Sequence, residues 1–167
     1  MFTQVSAFEK YWSRESKTTQ NLMDALTDES LGQAVADGHR TLARVAWHIV
    51  TSIPEMVNRT GLRAAGVNPE SPVPSAAGEI QKAYATASQS LLEQVKSEWN
   101  DDTLQDEDDM YGEKWKKGHT LHVLMQHEIH HRGQMSVLMR QAGLRVPQIY
   151  GPAKEDWTSY GMPVPEV

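Results

Sequence analysis

Two histidines four residues apart, His127 and His131, lie in the run His127-Glu128-Ile129-His130-His131, inside a stretch that reads as one apolar-faced helix. One helical turn brings positions i and i+4 to the same side, so both imidazoles can reach a single metal ion. At about 100° per residue, His127, His131, Leu124, Met135 and Leu138 fall within a sector of roughly 80°, which directs the pair at the core rather than at water. Read literally, the run also satisfies the zinc-protease pattern H-E-x-x-H, in which the glutamate activates a metal-bound water. The extended form of that pattern fails, because position 134 is Gln and no histidine follows His131. The remaining form needs a downstream carboxylate, and Glu155, the one reasonable candidate, sits in a Pro- and Gly-rich tail. Metal-assisted hydrolysis is therefore the weaker reading.

The chain has no cysteine, so a metal must be held by His and carboxylate, and no thiolate nucleophile is available. Helical phase separates the other histidines. His130 lies about 60° from His127 on the side away from His131, and His122 points nearly opposite the pair. His119 precedes that helix and His39 sits near the start of an earlier one, so all four are expected outside the ligand set. His48 falls in the middle of the second helical segment with Val45, Ser52 and Met56 on its side. A lone core-facing histidine is ordinarily satisfied by hydrogen bonds. Beside a core-facing pair, a shared metal satisfies all three nitrogens at once, and His48 becomes the expected third ligand. Three neutral imidazoles suit zinc first, with nickel or ferrous iron as the other candidates, and leave a coordination position for water or substrate.

Four helical segments must position these residues: about Val5 to Leu26, Asp37 to Arg59, from a Ser75 cap to Trp99, and Thr120 to Ala142. Pro54 should kink or break the second. Pro69, Pro72 and Pro74 mark a connector. Nothing reads as an alternating strand of useful length, so the expected architecture is all-α, one four-helix bundle over residues 1–167 with 144–167 an irregular tail.

The bulk properties narrow the function classes. The 167 residues carry 16 basic and 22 acidic side chains, a net charge of -6, with the basic residues scattered, which argues against nucleic acid and anionic membrane as partners. The acidic run Asp101, Asp102, Asp106, Glu107, Asp108 and Asp109 lacks the central Gly and spaced acceptors of a calcium loop and reads as a solvated loop. No signal-peptide or membrane-length apolar run is present, and a cytoplasmic protein is expected.

The run His127-Glu128-Ile129-His130-His131-Arg132-Gly133-Gln134, followed by Gly143, Pro147, Tyr150, Gly151 and Pro152, resembles the C-terminal signature of the DinB-like superfamily. Thr41-Leu42 through Ala46-Trp47-His48-Ile49 resembles that family's second helix with its single histidine. The resemblance implies an up-down-down-up bundle binding a divalent metal through three histidines, which map onto His48, His127 and His131. It also implies a homodimer, and relatives that include bacillithiol S-transferases and mycothiol-dependent isomerases. The expected activity is a metal-dependent transfer between a low-molecular-weight thiol and a small-molecule electrophile, which the missing cysteines fit. A non-catalytic metal- or ligand-binding bundle is the alternative. Glu128 is expected either to orient a ligand or water near the metal or to pair with Arg132 at i+4.

Overall fold

The structure is a computed structural model that describes residues 1–166; Val167, the last residue of the expected tail, lies outside the described residues. Four long helices carry the fold: α1 (Val5–Asp24), α2 (Leu42–Val57), α3 (Ala77–Glu98) and α4 (Lys117–Gln141). Their directions follow from the contacts between them. Along α1 and α3, Glu9 meets Lys96, Trp12 donates to the Ser88 carbonyl and Gln20 donates to the Gln81 carbonyl, so numbers fall on one as they rise on the other. The Lys117 ammonium reaches the Thr60 carbonyl at 3.0 Å, which sets the start of α4 beside the end of α2. Phe2 donates its N–H to the Gly118 carbonyl at 3.0 Å and sets the starts of α1 and α4 side by side. Just past α2, Arg63 N–H donates to Gln94 near the end of α3, which makes α2 and α3 parallel. The result is an up-down-down-up bundle, as expected.

Parallel neighbours cannot be joined by a tight turn, so the chain must travel back along α2, about 24 Å at 1.5 Å per residue, before α3 begins. The proline-bearing residues 61–76 make that return. Phe8, Trp12, Ile49, Ile53, Ile80, Tyr84, Leu91 and Met135 meet in the middle and exclude water. Gly118 is required where the N-terminal segment crosses α4, because a Cβ there would run into the Phe2 carbonyl oxygen.

Several local expectations are corrected. The acidic segment is not simply a loop: β1 (Glu107–Met110) and β2 (Glu113–Lys116) pair antiparallel. Their two-residue turn, Tyr111-Gly112, has φ of 60° and 87°, the twist-matched hairpin geometry that glycine makes accessible. Met110 and the half-buried Trp115 anchor the hairpin, together with Asp108, which pairs with Lys117 at 2.6 Å, while Glu107, Asp109, Glu113 and Lys114 face water. Helix α2 begins at Leu42, not near Asp37. Thr41 is its N-cap and accepts from the Arg44 N–H at 3.2 Å, and the preceding residues form a loop clipped by an Ala34–Thr41 bridge. Pro54 does not break α2, which continues to Val57 and then tightens into a 3-10 turn. Ser75 is not the cap of α3. Asp28 supplies that cap from outside the helix, accepting from the Ala77 N–H at 2.7 Å. In the tail, Lys154–Tyr160 forms a 3-10 turn, tied to α4 by the Arg140–Glu155 ion pair and to the start of the tail by the Arg145–Asp156 pair.

Candidate metal centre

Antiparallel α2 and α4 bring His48 opposite the helical turn that carries His127 and His131. The Nε2 atoms of His48 and His127 lie 3.1 Å apart, and those of His127 and His131 also 3.1 Å. The three rings meet edge to face, with interplanar angles of 70°, 84° and 73°. One ring nitrogen from each lies within 4.8 Å of the others, and among the described residues no carboxylate joins that group. Two imidazole nitrogens bound at about 2.0–2.1 Å and subtending about 100° at a metal would be about 3.1 Å apart, so the observed separation fits a near-tetrahedral ion.

The electrostatics fit as well. Burial first, then the neighbouring imidazoles and the Arg40 guanidinium, hold His48 and His127 down to about 4. His131 is lowered mainly by burial, against the opposing pull of Gln134. At neutral pH all three rings are uncharged, the state in which a nitrogen lone pair is free to bind a cation. The far side of His131 is fixed: its Nδ1 lies 2.7 Å from Gln134 Oε1, which can only accept, so Nδ1 carries the proton and Nε2 the lone pair. Gln134 is held in turn by its amide NH2, 3.2 Å from His130 Nε2. His130 is exposed and outside the donor set, with its ring packed edge to face on His131 at 4.9 Å.

The remaining histidines fall outside the cluster. His119 packs against Trp115 and His122 against Phe2, while His39 is exposed on the loop before α2. Glu128 is turned away from the three histidines, toward α1 and α3. It is fully enclosed, with Oε1 accepting from Thr19 on α1 at 2.8 Å and from Tyr84 on α3 at 2.9 Å. It lies outside the convergent donor group and makes no hydrogen bond to the three histidines. Nor does it pair with Arg132, whose guanidinium binds Glu15 at 2.5 Å, Thr19 at 3.2 Å and the Tyr150 hydroxyl at 2.5 Å. The reason is that α4 is buried over a wider arc than its apolar stripe shows. Leu121, Met125, Glu128, Arg132 and Met139 form a second buried face toward α1 and α3.

Two residues of the surroundings were not singled out from sequence. Glu55 lines a cleft of about 170 Å³ with His48, Arg44, Thr51, Ser52 and Pro69, and is engaged by Arg59 at 2.9 Å and the Tyr111 hydroxyl at 2.7 Å. It lies seven residues after His48, nearly in phase with it, which was the available signal. Arg40 lines a second, larger cleft together with Gln134. Its signal was weaker, since the loop carrying it reads as the start of a helix.

A helical bundle in which three histidines from two antiparallel helices could hold one ion defines a class of metal-binding-type bundles. This chain belongs to the DinB family, whose sequence model matches residues 1–166. It is similar to the uncharacterized protein YrdA of Bacillus subtilis (strain 168), 43% identical over 167 residues that span 100% of each chain. It is similar in structure to a DinB-like protein from Bacillus cereus ATCC 10987, with 45% identity, a TM-score of 0.87, and coverage of 90% of this chain and 100% of that one. A DinB-like protein of Bacillus subtilis, YjoA, is 19% identical with a TM-score of 0.69, covering 86% of this chain and 97% of the other, and shares the fold. Among the described residues no helix is long and apolar enough to cross a membrane.

Proposed function

We propose that His48, His127 and His131 hold one divalent metal ion, zinc in the first instance, and that the protein transfers a low-molecular-weight thiol to a small electrophile. The observation that carries this reading is the convergence of three neutral imidazoles with no fourth donor among the described residues, next to a cleft lined by His48. A closed structural site would complete its coordination from the chain. A bound ion would supply Lewis acidity to a thiol sulfur, favouring its deprotonated form.

The chain's own groups prepare that chemistry. Gln134 holds the His131 ring in one tautomer and one orientation. Mutual proximity and burial keep the rings from competing for protons. Arg40 and Arg44 bring positive charge to the rim in a chain whose net charge is -6, which favours an anionic reactant over a neutral one.

Elemental analysis comes first, with one equivalent of metal expected in the purified protein and none after His127→Ala or His131→Ala. A full equivalent retained by either variant removes the site. Thiol consumption is then followed with a panel of low-molecular-weight thiols and alkylating or aromatic electrophiles. Fully metallated protein inert across that panel would replace the transferase reading with that of a non-catalytic binder.

A further inference from the structure

We infer that the cleft beside the three histidines binds a small organic monoanion with an apolar body, a medium-chain carboxylate being the simplest case. This rests on the reading above and adds to it the charge and apolar character of the reactant that the site would take. The cleft, about 520 Å³, lies between the loop before α2, helix α2 and helix α4. That volume is in the range of small-ligand sites. Its walls are aliphatic: Val35, Val45, Val137 and Leu138. Val35 is 61% exposed and Val137 54%, so apolar surface is left in water at a concave place, where an apolar ligand body would cover it.

The charge in this cleft is one-sided. Arg40 lines it, and among the described residues no hydrogen bond or ion pair engages its guanidinium; Arg14, Arg44 and Arg63 are likewise unengaged, but Arg40 is the one that lines this cleft. Arg40 is also near enough to weigh on the proton affinity of all three imidazoles. Gln134 lines the same cleft and bonds to His131, so the cleft reaches the back of the donor set. His39 is the only other titratable group on the lining, and no carboxylate appears there. A neutral apolar ligand would cover Arg40 without satisfying it, and an amine would be repelled by it. A hydrated inorganic anion would gain nothing from the four aliphatic walls. An organic monoanion answers both features, with its acid group at Arg40 and its chain along the valines.

The test uses octanoate, octanol and octylamine as probes, with binding followed by calorimetry on the metal-loaded full chain and on the chelator-treated full chain. Octanoate is expected to bind at least about tenfold more tightly than octanol, since a hydrogen bond to a charged group contributes about 1.5–3 kcal/mol. Octylamine is expected not to bind. Arg40→Gln should remove that preference in both preparations, and Val137→Asp should weaken octanoate. Equal affinity for octanoate and octanol, or octanoate affinity unchanged in Arg40→Gln, overturns the inference. A carboxylate that merely coordinated the metal would survive Arg40→Gln and vanish with the chelator, the reverse of the expected pattern. Because the chelated arm needs no metal, loss of the cleft and loss of the metal reading are told apart.

Discussion

The hydrogen bond between His131 Nδ1 and Gln134 Oε1 makes a quantitative demand on metal affinity. At 2.7 Å it is the shortest polar contact of the cluster, and it joins residues three apart on one helix face. Gln134→Ala removes it and frees the ring in two ways. With no acceptor at Nδ1 the proton can sit on either nitrogen, which roughly halves the population carrying a lone pair at Nε2, and the ring can turn about its own axis. To that factor is added the bond itself, about 0.5–1.5 kcal/mol. Together these give a loss of roughly 5–25-fold in affinity, overlapping the 10–100-fold range typical of groups that orient metal-bound histidines. His130→Ala removes the outer contact, 3.2 Å from the Gln134 amide, together with the packing of its ring on His131, and should cost about two- to fivefold. Competition for zinc against a chromogenic chelator measures both. A Gln134→Ala affinity within twofold of wild type, or a larger effect from His130→Ala, would falsify the assignment of Gln134 as the group that sets the tautomer.

Two further outcomes are expected. Arg132 is 1% exposed and its partner Glu15 is 6%, so Arg132→Met strands a buried carboxylate and should lower stability by about 3–5 kcal/mol in denaturant unfolding. Adding Glu15→Met should recover much of that loss, and a double variant no better than the single one would refute the pairing. The pH response of metal-free protein should carry a definite sign. His48 and His127 have folded values near 4 against 6.5 in the unfolded chain, so the unfolded state takes up protons that the folded state refuses, and their contribution to stability declines from about pH 6.5 to pH 4. Glu128, raised to about 7 mainly by burial, acts in the opposite sense, so the informative quantity is the difference between wild type and His48→Leu. Unfolding midpoints measured across that range should fall more steeply for wild type, and parallel curves would remove the proton linkage.

What the sequence revealed and what it hid follow one physical divide. The i, i+4 spacing of His127 and His131 and the mid-helix place of His48 are local facts, and helical phase turned them into the cluster that the structure brings together. Glu128 and Arg132 have the same i, i+4 spacing, yet their real partners lie on other elements: Thr19 and Tyr84 for one, Glu15 and Tyr150 for the other. No period along α4 could reveal that. The hairpin was hidden because Glu107, Asp108, Asp109, Glu113, Lys114 and Lys116 mask its alternation, leaving only Met110 and Trp115 as apolar anchors. The cap of α3 was misread for the same reason, since Asp28 reaches Ala77 from 49 residues away.

The loop clipped by the Ala34–Thr41 bridge divides labour within the molecule. The three candidate ligands stand on long helices, and α4 is held from its opposite face by Arg132, so the donor set has little freedom to drift. Val35, His39 and Arg40, which give the cleft its reach and sign, instead hang on a short segment joined to the body by a single bridge and the Thr41 cap. Substitutions, or even changes of length, in that segment can redraw what enters the cleft while the imidazoles stay where they are. One scaffold can in this way keep a fixed reagent and exchange its clientele, and relatives that share the histidines should be sorted by the chemistry of this loop.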